Sequence, residues 1–195
     1  MTVTTLGYVL LGLLAVKSYT GYDLGRVMRS PISFFWEARY SQIYPELSKL
    51  ETQGLVTYQA VAQHDLPDKK IYTITEAGCA LLRTWAVEPI EPPVVRDELV
   101  IKAYSLWMAD PESARDLFRY HEHYHLSKLQ QYEEVQRRLE ECPEDLNDPT
   151  SPVFAQYIIL QRGLGFEREY ATWCQWVVAR LEQAIQLSSS PSADS

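Results

Sequence analysis

Cysteine, glycine and positive charge are all scarce in this chain of 195 residues, and each shortage excludes something. The three cysteines, Cys79, Cys142 and Cys174, are widely spaced and odd in number, which suits neither a disulfide framework nor a paired zinc site. A reducing cytoplasm is the expected compartment. The 8 glycines form no Gly-rich phosphate loop, and neither a Gly-x-Ser-x-Gly elbow nor a Cys-x-x-Cys pair occurs. No catalytic residue, cofactor or metal is therefore expected. Long hydrophobic runs are missing too. Residues 1–16 are apolar, but no Lys or Arg follows Met1, no Ala-x-Ala cleavage site is present, and the run breaks at Lys17. That is short of the roughly 20 residues needed to cross a bilayer, so no membrane partner is expected.

What is present is ordinary globular material, 46% hydrophobic and 23% charged, enough for one large or two small domains. The net charge of −8 argues against nucleic acid when taken whole, yet it is unevenly placed. Residues 1–88 carry 8 Lys/Arg and 8 Asp/Glu; residues 89–195 carry 10 against 18. Any contact with a phosphate backbone belongs to the first half and must use a few placed cations.

The periodicity divides the chain. Leu6 to Val16 suits a buried helix. Thr20 caps a short second one through Leu24, Val27 and Met28, which Arg29-Ser30-Pro31 should end. Ile43, Leu47 and Leu50 recur at i, i+4, i+7, predicting a third helix over 41–53 with Ser41 as N-cap and Gly54 as a left-handed stop. Residues 55–61 and 69–74 then read as two strands joined by the polar tip His64 to Asp68, and Thr75 caps a fourth helix over 76–87. The run Glu88-Pro-Ile-Glu-Pro-Pro93 is a linker, so the expected division is a domain at 1–88, a Pro-rich linker at 89–93 and a helical domain at 94–187. Asp110-Pro111-Glu112 and Ser151-Pro152 are strong helix starts, predicting long helices over 111–141 and 152–187 around a turn at 142–150, and 188–195 reads as a disordered tail.

Three helices, a hairpin and a closing helix make a winged helix-turn-helix, in a mainly α chain. The residues closely resemble the PadR family of transcriptional regulators. The matching pieces are Leu10-x-Gly-Leu-Leu14, Gly21-Tyr-Asp-Leu24, Tyr40-Ser-Gln-Ile-Tyr-Pro-Glu-Leu47, Leu50-Glu-x-x-Gly-Leu-Val56 and Lys69-Lys-x-Tyr-x-Ile-Thr-x-Ala-Gly78. Beyond the linker, Arg96-Asp-Glu-Leu-Val-Ile-Lys102 and Arg168-Glu-Tyr-Ala-Thr-Trp173 look like the family's longer-tailed branch. The likeness runs in order over residues 3–185. It implies a homodimeric repressor whose C-terminal helices pair, binding an inverted-repeat operator and often released by a small molecule.

The residues carry a physical reading of their own. With Ile43, Leu47 and Leu50 inward, a helical wheel puts Ser41, Pro45, Ser48 and Lys49 outward, flanked by Gln42 and Tyr44. Small residues permit close approach to the major groove, the Gln42 amide suits adenine, and Lys49 and Tyr44 suit phosphates. Lys69 and Lys70 on the wing would follow the adjacent backbone, and Tyr22 another phosphate. The competing reading is a winged helix that holds a protein instead of DNA.

In the second half Phe166, Tyr170, Trp173, Val177 and Leu181 form a stripe of i+3/i+4 steps on a helix long enough to suggest antiparallel pairing with another chain, hence a dimer seam. Trp107, Trp173 and Trp176 are candidates to stack on a flat aromatic effector, expected to wedge between the two domains. His121-Glu-His-Tyr-His125 matches a zinc-protease signature, but no His follows to complete the ligand set. His121 and His125 share a stripe with Phe118, Leu129 and Tyr132, which favours packing over catalysis.

Overall fold

The computed structural model describes residues 2–28, 40–62, 69–94, 96–141 and 146–189. It divides into two compact units, Met1–Glu91 and Pro92–Ser195.

The first unit begins with α1 (Thr5–Val16), whose cap Thr4 accepts the Gly7 amide. Two extended residues, β1 (Tyr19–Thr20), lead directly into α2 (Gly21–Val27). Then come α3 (Tyr40–Thr52), β2 (Val56–Val61), β3 (Lys69–Ile74) and α4 (Glu76–Trp85). The strands form one antiparallel sheet in the order β1-β3-β2, with Tyr72 facing Tyr19 on one side and Tyr58 on the other. Leu10, Leu11, Leu24, Ile43, Leu47 and Leu50 are essentially inaccessible and join Val56 and Tyr72 in a single core. Burial at about 1.5–3 kcal/mol per large aliphatic side chain is what holds so small a unit together. Gly54 ends α3 at φ +71°, the left-handed stop that a side chain would resist.

Several boundaries differ from the sequence reading. The third helix starts at Tyr40, so Ser41 lies in its first turn and is not its cap. Pro45 sits inside this helix, where it cannot donate to the carbonyl one turn earlier, and a single lost bond leaves the helix unbroken. The fourth helix stops at Trp85, two residues early, and Trp85 stacks on Tyr8 with centroids 4.2 Å apart. The pair β1 was not foreseen. The expected stop at residues 29–31 and the hairpin tip at 64–68 lie outside the described residues.

The second unit holds α5 (Glu98–Tyr104), a 3-10 turn at Leu106–Met108, α6 (Pro111–Glu140) and α7 (Pro152–Ser189). Asp110 caps α6 through the Ser113 amide, with Pro111 at the first helical position. Arg119 pairs with Glu182, and His125 with Glu167, so α7 returns antiparallel along α6. Here the stripe reading needs correction. Tyr170 and Val177 are buried within their own chain, packed with Leu99, Phe118, Cys174 and Val178; Trp173 and Leu181 close over the same cluster. The stripe faces α5 and α6, because two antiparallel helices of one chain suffice to cover it. Only Phe166 of the five is left exposed, at 41%. Ser188 and Ser189 belong to α7, not to a tail, and residues 190–195 lie outside the described region. Among the described residues no helix is long and apolar enough to cross a membrane.

Candidate nucleic-acid interface

The outer face of α3 is made by exclusion. Ile43, Leu47 and Leu50 take the core, which leaves Ser41, Gln42, Tyr44, Pro45, Ser48 and Lys49 exposed. These are short or polar side chains on a convex helix, able to approach base edges without desolvating a bulky apolar group.

The packing of α2 on α3 is fixed by contact between a ring and a bare backbone. A Cβ built on Gly21 would lie 2.5 Å from Cε1 of Tyr44, so glycine is what lets α2 start against that ring. Tyr44 therefore has two roles: one edge braces α2 while the side chain stays half exposed. Thr20, the last residue of β1, caps α2 by accepting the Asp23 amide at 3.1 Å and donating to Asp23 Oδ2 at 2.7 Å. That hydroxyl is the main reason the Asp23 carboxyl sits below its usual pKa; Lys69 and Arg26 add to it against a small cost of burial.

The three lysines proposed for phosphate differ in their surroundings. Lys49 lies 3.2 Å from Oε2 of Glu46, whose other oxygen accepts from the Thr4 hydroxyl at 2.6 Å. Glu46 is buried, and it links the start of α1 to the outer face of α3. The sequence reading missed it. The available signal was its i+3 spacing from Ile43 on the inward face, which its charge disguised. On the wing, Lys70 stands over the Tyr58 ring with Nζ 3.9 Å from the centroid, and hydrogen bonding to the Tyr58 side chain holds its pKa above the usual lysine value. Lys69 and Lys70 are both exposed on β3. Tyr22 is 60% exposed on α2, and Arg26, one turn further along the same helix, is exposed too. Arg26 is a further candidate cation that the sequence reading did not name, readable from its i+4 spacing.

The three tryptophans proposed for an effector stand in different surroundings. Trp107 is 81% exposed in the 3-10 turn. Trp176 is exposed with the Arg180 guanidinium over its ring, and Trp173 packs edge-on against Phe118 and Tyr170. His125 is occupied by Glu167, and among the described residues no group of three His, Cys, Asp or Glu side chains converges to hold a metal ion.

Comparison with known proteins agrees with this geometry. Residues 10–84 match the model of the PadR-like transcriptional regulator family, and residues 95–182 match the virulence activator alpha C-terminal domain. The negative transcriptional regulator PadR of Bacillus subtilis is 33% identical over 180 residues, spanning 91% of this chain and 98% of that protein. The crystal structure of that PadR in complex with operator DNA superposes with a TM-score of 0.81 at 32% identity, over 91% of this chain and 99% of the other. Its complex with p-coumaric acid gives 0.77 at 31% identity, covering 92% and 99%. The Vibrio cholerae virulence activator AphA gives 0.71 at 26% identity, with the same coverage of 92% and 99%. The chain belongs to the PadR-like family: it is a transcriptional regulator and not an enzyme.

Proposed function

We propose that the chain acts in the cytoplasm as a homodimeric repressor that occupies an inverted-repeat operator and is released by a small aromatic molecule. The observation that carries the DNA reading is the exposed row of α3 beside a lysine-bearing wing. Ser41, Gln42, Pro45 and Ser48 would meet base edges, while Tyr22, Tyr44, Lys49, Lys69 and Lys70 would hold phosphates. Repression is supported by the negative regulator from Bacillus, and the aromatic effector by the p-coumaric acid bound to it.

The dimer belongs to the C-terminal unit. With Tyr170 and Val177 packed inside their own chain, the surface we assign to a second copy is the run of apolar side chains left out around the end of α5, Ile101, Tyr104, Trp107 and Met108, each more than 60% exposed. Trp107→Asp should lower the mass seen by light scattering from dimer to monomer; an unchanged mass removes this surface from consideration.

The function is tested by selecting bound DNA from a random pool with the purified protein. An inverted repeat of fixed spacing is expected, because a two-fold protein reads a two-fold site. A pool that stays unenriched at low salt overturns the DNA reading in favour of a winged helix that holds another protein.

A further inference from the structure

Where the start of α5 meets the middle of α6 and α7, the second unit carries an open cleft of about 420 Å³. This lies toward the lower end of the roughly 300–1,000 Å³ found for small-molecule sites and suits one or two rings. Its walls are aromatic. Tyr120, His121 and Tyr124 come from α6, and Phe166 and Tyr170 from α7, with His125 among them. His125 stacks on Tyr170 at 4.0 Å, Tyr170 tilts against Phe166 at 5.6 Å, and Tyr124 meets His125 edge-on at 5.1 Å.

The lining is also held in place. His125 Nδ1 lies 2.5 Å from Glu167 Oε2, and both side chains are 9% exposed. The Tyr170 hydroxyl donates to Asp97 Oδ2 at 2.7 Å, tying α7 to the cap of α5. A ligand would find its rings already ordered, which lowers the entropy cost of binding.

Charge decides what kind of ligand fits. The lining contains two carboxylates, Asp97 and Glu98, and no Lys or Arg. Glu98 is matched by Lys102 at 2.9 Å. Asp97 is not matched by a cation: Oδ1 accepts the amides of Leu99 and Val100, Oδ2 accepts the Tyr170 hydroxyl, and among the described residues no ion pair reaches it. Burial pushes its pKa up, but these hydrogen bonds outweigh it and keep the carboxyl ionised. His121 is held below the usual imidazole pKa, first by burial and then by His125, so at neutral pH it is an uncharged acceptor. The rings are also of a kind that attracts cations. Arg162 lies 5.6 Å from the Phe166 centroid and Lys128 5.8 Å from that of Tyr124, though neither lines the pocket. A carboxylate ligand would meet Asp97 while the nearest lysine, Lys102, is already taken by Glu98, whereas an ammonium gains both the Asp97 carboxylate and the ring faces.

We propose that this pocket binds a protonated aromatic amine of one or two rings. Binding stands on the pocket alone; an effect on DNA rests on the regulatory reading above, so the two are measured separately.

Three indoles of similar shape serve as probes for calorimetric titration of the full chain without DNA. They are tryptamine, carrying a cation, 3-ethylindole, which is neutral, and indole-3-propionate, an anion. One tryptamine should bind per chain, at least about tenfold more tightly than the propionate. Asp97→Asn should remove that preference, with about tenfold weaker tryptamine binding and unchanged 3-ethylindole binding. Asp97 also caps α5, so Tyr120→Lys provides an independent check: this side chain is 68% exposed and tolerates substitution, and an ammonium in the wall should abolish tryptamine binding. Equal affinities for the three probes, an unaltered preference in both variants, or no binding of any probe at millimolar concentration overturns the proposal. If tryptamine binds as described but leaves affinity for the selected operator unchanged, the site stands and its regulatory role falls.

Discussion

Glu46→Gln should make this protein bind DNA more tightly. Glu46 holds Lys49 at 3.2 Å from beneath, and its own side chain is only 7% exposed while that of Lys49 is 57% exposed. Two unit charges at this separation attract by about 1 kcal/mol in bulk water, and pairs with one exposed partner usually measure 0.2–1 kcal/mol. A phosphate approaching Lys49 must compete with that attraction and also feels the carboxylate behind it. Gln removes the charge but keeps an oxygen to accept the Thr4 hydroxyl, so the fold should lose no more than the pair itself. The expected gain is about 0.5–1 kcal/mol, or roughly two- to fivefold in affinity, equal on operator and random duplex because phosphate contacts carry no sequence. Fluorescence anisotropy across a salt series measures this directly. Lys49→Ala should lower the slope of log K against log salt by about 0.9. In that background Glu46→Gln should lose most of its effect, since no lysine remains to be freed. If Glu46→Gln tightens binding equally with and without Lys49, or Lys49→Ala leaves the slope unaltered, Lys49 does not touch phosphate and the reasoning fails.

Three further outcomes follow from the second unit. Phe118 is fully buried and meets Trp173 edge-on at 5.3 Å, so Phe118→Ala should cost about 3–5 kcal/mol in urea unfolding, and a loss under about 1 kcal/mol would mean the cluster is not a core. Burial pushes the Cys174 thiol up to about 11, so iodoacetamide at mildly alkaline pH should leave it unmodified in the folded protein while half-exposed Cys79 reacts; mass spectrometry of the digest distinguishes the two. Asp97 has a folded pKa below its ordinary 3.8, so its contribution is complete above that value and is lost as pH falls through the depressed one. Asp97→Asn should flatten the acid limb of the stability curve, and an identical limb in the variant would assign acid unfolding to other carboxylates.

How much of this was legible depended on whether the signal was local. The caps at Thr20 and Thr75, the left-handed Gly54 and the period through Ile43, Leu47 and Leu50 each lie within a few residues, and each forms as read. The pair β1 has no such signal, because two extended residues mean nothing until β3, some fifty positions on, supplies hydrogen-bonding partners. The stripe on α7 shows the complementary failure. Periodicity says that a face is covered, but it does not say by what, and Phe118 and Leu99 of the same chain turned out to cover it. On α3 the outward residues were readable by subtracting the inward ones, whereas the tie between Glu46 and Thr4 joins positions 42 apart and needed the fold. The pocket around Asp97 was hidden for the same reason, since Tyr170 lies 73 positions away.

The central position of β3 has a consequence for how such a protein can change over time. Lys69 and Lys70 sit on a strand bonded on both sides, and β1 on its far side runs without a break into α2. The strands, α2 and, through the contact of Gly21 with Tyr44, α3 thus form a single casting whose internal spacing cannot drift one part at a time. The letters mounted on that casting are different: Ser41, Gln42 and Ser48 lie outside the core, and replacing them leaves its packing intact. On the proposed reading, a lineage of such regulators acquires new target sequences by exchanging a few outward side chains, while the casting that carries them stays the same.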